Sequence, residues 1–486
     1  MMHRRNLRIR PAGARMRGIA VALIGGLLLC ACKTLSPDGG MDAVADIAGD
    51  AGSGKVLAIR TPEQAAAARA KIAQLLARPL TARAAIQVAL LNNRGLQAAY
   101  NELGIAEAAM VEASLPPSPT FSLQRISGDL ETEIERRIVG DILALATLPA
   151  RTEIAGDRFR QAQLRAAAAT LQTAAETRRA YYRSIAAAEL VGFLEQAAAS
   201  ARTTSELAKR LGESGAMNKL DQAREQVFEA ETTAQLAKAR QQAAGERERL
   251  VRAMGVWGGD LAFKIPNALP PLPGRPRIAP TVEAQAVARR IDLQIGRIEL
   301  AALAKSFGLT QATRFLNLLD LSAVGKTTID KQTGQRLRDI GFDAEVQIPL
   351  FDFGEARVRE AEQTYMQAVN RLAEMAVNAR SQAREAYQAY RSSYDIAAHY
   401  RNEVLPLRKI ISDEMLLRYN AMMIDVFGLL TEARERIAST TQGVEAERDF
   451  WLAAVDLDAA VLGGGTSAKP GEGSSMSSAP DGADGH

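Results

Sequence analysis

"FDAEVQIPLFDFGEARVREAEQTY", residues 342 to 365, changes character at its centre. Phe342, Ala344, Val346 and Ile348 alternate with Asp343, Glu345 and Gln347. Side chains of a strand point alternately to opposite faces, so this stretch predicts one apolar and one polar surface. From Gly354 onward the residues are charged and helix-forming, and no breaker follows for dozens of residues. A strand that passes through Pro349 straight into so long a helix is the feature the rest of the chain must explain.

Working outward, four strands are expected, at about 119–127, 132–143, 313–324 and 337–349. Polar loops join them in pairs, "SGDLE" in the first and "GKTTIDKQTGQ" in the second. Residues 151 to about 211 contain no proline and only Gly156 and Gly192. At 1.5 Å per residue that is roughly 90 Å of helix. Leu164, Leu171, Ala175, Tyr182 and Ile185 fall at heptad-like steps along it. On the returning helix Leu220, Ala223, Val227, Ala230, Ala234 and Ala237 alternate steps of three and four. That spacing predicts an a/d seam of small residues for close helix packing. No single globular core can bury so long a helix, so neighbours along its length are required.

The chain repeats itself. "LTARAAIQVALLNNRGLQAAYNELGIAEAAMVEASLPPSPTFSL" opens one copy and "TVEAQAVARRIDLQIGRIELAALAKSFGLTQATRFLNLLDLSA" the other. Leu96-Gln97 and Glu102-Leu103 fall opposite Leu293-Gln294 and Glu299-Leu300. "RRAY" (178–181) answers "REAY" (384–387), and "ARE" at 223–225 answers "ARE" at 433–435. A Pro-rich connector, "IPNALPPLPGRPRIAP" (265–280), joins the copies. The resulting division is residues 1–31 as a signal, 32–79 as a tether and the start of the helical region, and 80–258 as the first repeat. Residues 259–280 are the linker, 281–461 the second repeat and 462–486 a Gly/Ser-rich tail. The hairpins span about 150–255 and 352–461.

Residues 1–17 hold six arginines and no acid, followed by "GIAVALIGGLLL" and "CAC". This is the layout of a secretory signal, too short to span a membrane as a helix. Leu29-Cys30-Ala31-Cys32 resembles a bacterial lipobox, which makes Cys32 the lipid-bearing residue. An ordinary signal with a chance cysteine is the plainer alternative. The whole chain carries a net charge of +4, and without those six arginines it carries −2. Nucleic-acid binding therefore has no electrostatic support. Loss of Cys30 with the signal leaves no internal disulfide, and two remaining histidines cannot build a His/Cys metal site. "AVGKTT" (323–328) lacks the earlier glycine of a phosphate loop, with Asp320 in its place. No catalytic constellation stands out, and no cofactor is expected.

The alternating strands suit a soluble sheet with one wet face equally well. The secretion signal and the lack of a soluble partner layer favour a transmembrane β-barrel. Four strands cannot close a barrel, and open edges cannot sit in lipid, so the chain would have to oligomerise.

Residues 80 to 461 resemble the TolC family of outer-membrane efflux channels. "VQIPLFDFGEARVREAEQTY", "RLGESG", "RYNAMMIDVFGLLTEAR" and the opening of the first repeat carry the likeness. The resemblance implies a mainly α fold with a transmembrane β part: a two-repeat protomer giving four strands to a trimeric twelve-stranded barrel, continued by a helical tunnel. Pro149, Pro349 and Gly354 would then mark where barrel strands turn into tunnel helices. The helix turns at Arg210, Leu211, Gly212 and Glu213, and at Arg418, Tyr419 and Asn420, would dock a periplasmic adaptor serving an inner-membrane pump. Asp425 and Glu432 would form the periplasmic gate, although Gly428 stands where the family often has an acid. The expected location is the outer membrane, lipid-anchored and extending into the periplasm, with no metal site. Met217, Met422 and Met423 suit adaptable packing better than metal relay. The alternative from another class is a periplasmic coiled-coil adaptor or structural lipoprotein, which would normally have one hairpin rather than two.

Overall fold

The computed structural model describes residues 35–49, 56–278, 280–316 and 318–463. The signal, Cys32 and the tail from 464 onward lie outside the described residues. The contacts divide the chain into two compact units that cut across the repeats. Unit 1 is Met1–Gly40, Leu103–Ala162 and Ile298–Ala368; unit 2 is Met41–Glu102, Gln163–Arg297 and Val369–His486. In chain order the helices are α1 (Met41–Ala48), α2 (Pro62–Leu76), α3 (Ala82–Asn92) and α4 (Arg94–Ala113). Strands β1 (Thr120–Ser127) and β2 (Glu131–Asp141) precede α5 (Ile142–Glu213) and α6 (Lys219–Met254). The second repeat gives α7 (Val282–Arg289), α8 (Ile291–Ala312), β3 (Leu318–Asp330) and β4 (Arg336–Gln347), then α9 (Glu355–His399), α10 (Leu405–Asn420) and α11 (Val426–Leu462).

Unit 1 is built on one antiparallel sheet in the order β1-β2-β3-β4, so β1 and β4 are its edges. β3 begins five residues later than the sequence suggests and runs on through "GKTTID", where the sequence predicts a loop. Its Gly325 to Ile329 pair with β2 and β4 on both sides, and Thr327, Thr328 and Ile329 are the β-branched residues a pleated ladder favours.

The two strand-to-helix junctions differ. In the first, helix starts directly at Ile142, because Asp141 caps it: Oδ1 accepts from the Ala144 amide at 2.7 Å. Pro149 therefore lies inside α5 rather than at the junction. In the second, Pro349 follows the end of β4 and a turn intervenes, its Phe353 amide donating to the Pro349 carbonyl at 2.9 Å. Phe353 and Gly354 both take positive φ, 48° and 73°. A Cβ on Gly354 would lie 2.2 Å from the Arg314 carbonyl oxygen, so only glycine fits. Asp352 supplies the cap, accepting from the Gly354 amide at 3.0 Å.

Unit 2 is a helical body whose core joins Tyr181, Tyr182, Ile185, Leu250 and Met254 to Leu80, Val88 and Val455. Each returning helix ends on a left-handed glycine, Gly255 or Gly463. Each glycine packs against the break between the two opening helices of its repeat: Gly255 on Asn92-Asn93, Gly463 on Ile291-Asp292. α11 therefore runs to Leu462, just past the expected end of the repeat. The Pro-rich connector is held along its length. Leu269 donates its amide to Glu189, Trp451 Nε1 donates to the Pro270 carbonyl, and Tyr394 donates its hydroxyl to the Pro273 carbonyl.

Two helical details differ from expectation. The long helix of the second repeat is interrupted at Tyr400–Val404 by a π-helical turn, where the Leu405 amide reaches the Tyr400 carbonyl. Pro406 follows in the first turn of α10 and cannot donate to an ordinary helical ladder, which gives the widened turn its cause. On α6 the predicted seam of Leu220, Ala223, Val227, Ala230, Ala234 and Ala237 is exposed in the single chain. The buried seam is Glu225, Phe228, Thr232, Leu236, Ala239 and Glu246, ending in Leu250 and Met254. Its acids and threonine hid it from an apolar count.

Candidate functional site

The hairpin tips are two versions of one geometry. α5 ends at Glu213, and Gly215 turns the chain at φ 78°. The Ala216 amide closes the motif on the Leu211 carbonyl at 2.8 Å and the Gly215 amide bonds the Gly212 carbonyl at 3.1 Å. Asn218 then caps α6 by accepting from the Asp221 amide at 2.9 Å. At the other tip Met422 takes φ 59° in place of Gly215. The Met423 amide bonds the Arg418 carbonyl and the Met422 amide the Tyr419 carbonyl, both at 2.9 Å. Asp425 caps α11 through the Gly428 amide at 3.0 Å. Each feature of the second tip lies 207 positions after its counterpart. In that register the two "ARE" strings are three residues apart, so their match is not structural.

The predicted tip residues are placed as follows. Arg210, Leu211, Gly212 and Glu213 form the last turn of α5 rather than the turn itself. Gly212 is helical, and a Cβ there would meet the Gln222 side chain at 1.9 Å. Arg418, Tyr419 and Asn420 end α10, with Arg418 paired to Glu414 at 3.1 Å. Met422 and Met423 are exposed apolar side chains at that tip, at 94 % and 74 %. Asp425 is exposed but committed to its cap. Glu432, expected at an open constriction, is 5 % exposed and pairs with Arg408 at 3.3 Å. In the single chain the Glu432 carboxylate is thus held by Arg408 rather than open to solvent.

The register also exposes a residue that sequence reading missed. Glu225 stands seven positions past the Asn218 cap, as Glu432 stands seven past Asp425. Glu225 is fully buried, and neither of its carboxylate oxygens has a hydrogen-bond partner among the described residues; the Glu432 Oε1 has none either. Burial pushes both carboxyls above the usual range, opposed at Glu225 by Arg434 and at Glu432 by Arg408. Both line a cavity of about 550 Å³ walled by Phe193, Leu211, Phe228 and Leu430. The signal was the cap-plus-seven spacing, visible only once the caps are known.

In unit 1 the register sorts every strand residue onto one of two faces. Phe121, Ile138, Ala323 and Phe342 form one rank across the sheet; Leu321 with Ala344 and Leu319 with Val346 continue the same face. Glu135, Lys326 and Asp339 share the opposite face, with Asp343 and Glu345 further along it. Every residue of β1 and β4 is exposed, including Phe342 at 75 % and Ile340 at 82 %. An apolar face this open needs a partner or a membrane. Among the described residues no helix is long and apolar enough to cross a membrane. No group of three or more His, Cys, Asp or Glu among them could hold a metal ion.

No protein-family model and no curated protein matches the sequence. Solved structures do. The outer membrane channel CmeC of Campylobacter jejuni superposes with a TM-score of 0.66 at 15 % identity, covering 82 % of this chain and 87 % of that one. A membrane protein from Pseudomonas aeruginosa gives 0.65 at 20 % identity, covering 81 % and 93 %. The MtrE outer membrane channel of Neisseria gonorrhoeae, in its open state, gives 0.62 at 15 % identity, covering 81 % and 89 %. The expected fold is therefore present: mainly helical, two-repeat, with one four-stranded sheet left open in the single chain.

Proposed function

We propose that this chain belongs to the TolC family and is the outer-membrane channel subunit of a tripartite efflux system. The observation that carries the reading is the sheet of unit 1. It has one apolar and one acidic face, both exposed, and two unpaired edges. Unpaired strand edges are not tolerated in lipid, so three copies would close twelve strands with the apolar face outward and the acidic face lining the lumen. The exposed Leu220–Ala237 seam of α6 gives each protomer a close-packing stripe for its neighbour in the helical tunnel. The likeness in fold to outer-membrane channels supports the same reading over the adaptor alternative.

Transport through such a subunit is passive. Nine acids and two bases fall on the lumen-facing side of the strands, which favours cations at the pore wall. The energy and the selectivity would come from an inner-membrane pump acting through a periplasmic adaptor that docks on the exposed tips around Arg210–Glu213 and Arg418–Met423. The gate charge is assigned to Asp425 alone. Lipidation at Cys32 would add an anchor in the outer membrane; Cys32→Ser should abolish lipid labelling while the protein still reaches the membrane.

The experiment is an unheated gel of detergent-extracted protein, followed by planar-bilayer recording. A heat-sensitive band near three times the monomer mass and a stable, cation-preferring conductance are expected. A monomer released without detergent, with no conductance, would reject the channel.

A further inference from the structure

The charge on the sheet is segregated more sharply than its hydropathy. On the apolar face no strand position carries an acid, and the four charged residues there are all arginines: Arg125, Arg136, Arg336 and Arg338. Arg125, Arg336 and Arg338 lie toward the hairpin loops, and Arg136 lies at the middle of β2, one rank further from them. Arg136 shares a rank with Leu123, Gly325 and Ile340; Arg125 and Arg338 share the next, with Ile134 and Thr327; Arg336 closes the last, with Ile329. Toward the helices that face is wholly uncharged. All four are exposed, and none of their side chains has a hydrogen bond or ion pair among the described residues. By contrast Arg137 and Lys326, the two bases on the other face, are paired to Glu135 and Glu133.

Spacing makes these arginines a group. Successive ranks lie about 6.7 Å apart along a strand and neighbouring strands about 4.8 Å apart. Arg125 and Arg136 are diagonal neighbours on adjacent strands, roughly 7–8 Å apart and within common reach of one headgroup. Arg125 is on one sheet edge and Arg336 and Arg338 on the other. Closure of the ring would continue the row around the barrel. An unpaired guanidinium beside an apolar band is costly in hydrocarbon but suited to the level where headgroups begin, and its fork matches two phosphate oxygens.

We propose that Arg125, Arg136, Arg336 and Arg338 form a belt that binds the phosphate groups of an anionic lipid in the leaflet around the loop end of the barrel. The inference rests on the channel reading, because it takes the apolar face as the lipid-facing one. The same arginines on a soluble sheet would have no reason to avoid every acid on their face.

The test uses full-length protein in detergent, analysed by native mass spectrometry with added lipids. The probes are a diphosphorylated glycolipid of the lipid A type, phosphatidylglycerol, phosphatidylcholine and inorganic phosphate. The wild type should retain the two phosphate-bearing anionic lipids in preference to phosphatidylcholine, and millimolar inorganic phosphate should not displace them. The variant carrying Arg125→Gln, Arg136→Gln and Arg338→Gln should lose retention about tenfold. Arg137→Gln, on the lumen face, should leave it unchanged. Arg136→Lys, which keeps the charge but not the fork, should fall between and covers the case in which the triple variant fails to assemble. Equal retention by wild type and triple variant, an equal loss in Arg137→Gln, or displacement by inorganic phosphate would overturn the proposal. Oligomer migration on unheated gels, read in the same samples, reports separately on whether the channel reading itself stands.

Discussion

The two hairpin tips keep one geometry while the two strand-to-helix junctions do not. At the tips, a left-handed residue, a back-bond from the following amide and a side-chain cap recur 207 positions apart with different residues: Gly215 and Met422, Asn218 and Asp425. At the junctions, Asp141 opens α5 directly, whereas a five-residue turn ending in Gly354 opens α9. The tips are short, local and exposed, so backbone hydrogen bonds and one side-chain cap suffice to set them. The junctions must leave one sheet at two different places, and sheet register sets the path.

The sharpest way to break this comparison is at the junctions. Gly354→Ala places a Cβ against the Arg314 carbonyl at a positive φ and should cost roughly 3 kcal/mol. Pro149→Ala, inside the helix that the first junction opens, should stabilise by up to about 3 kcal/mol, since proline inside a helix removes a bond. Equal destabilisation by both, in denaturant unfolding, would mean the junctions are equivalent after all.

At the tips equivalence predicts equality. Asn218→Ala and Asp425→Ala should each cost about 1 kcal/mol as lost caps. Asp425→Asn keeps the capping oxygen and removes only the charge. It should leave stability unchanged while lowering cation preference in single-channel recordings, and Glu432→Gln should leave that preference alone. A loss of preference in Glu432→Gln would return the gate to the buried acid. Met422→Gly should stabilise by less than about 1 kcal/mol, and Gly215→Ala should cost a similar amount, because the strained position is the same.

The smallest effect concerns pH. Burial raises the Glu225 carboxyl above 4.5, so the folded chain favours its neutral form. Its contribution to stability is then greatest below that value and is lost as pH rises through the raised one. Glu225→Gln should flatten this slope and gain stability at neutral pH. A variant less stable than wild type at pH 7 would show that the charged carboxylate is used.

Much of this was legible in the sequence. The alternation of residues 342–348 gave the strand and both faces, and Leu96 and Leu293 gave the repeat; both are buried, at 3 % and 1 %. What escaped depended on partners far along the chain. Thr327 and Thr328 look like loop until β2 and β4 flank them. Pro149 looks like a boundary until Asp141 is seen to cap the helix eight residues earlier. The buried seam of α6 contains two glutamates and a threonine, so apolar periodicity selected the Leu220–Ala237 stripe that the single chain leaves open. Glu432 looked exposed because a helical acid usually is; its burial follows from Arg408 on the neighbouring helix.

The central claim is that the apolar face of the sheet lies in lipid and the acidic face in the lumen. Val346 and Gln347 are adjacent on β4 and point to opposite faces. Val346→Arg places a charge in hydrocarbon, at roughly 2–4 kcal/mol per copy at the midplane and less toward its edges, three times over in a trimer, whereas Gln347→Arg adds it to a wet wall. Quantifying heat-sensitive oligomer in the membrane fraction should show Val346→Arg strongly depleted and Gln347→Arg close to wild type. Equal assembly of the two would contradict the account and put this sheet in water.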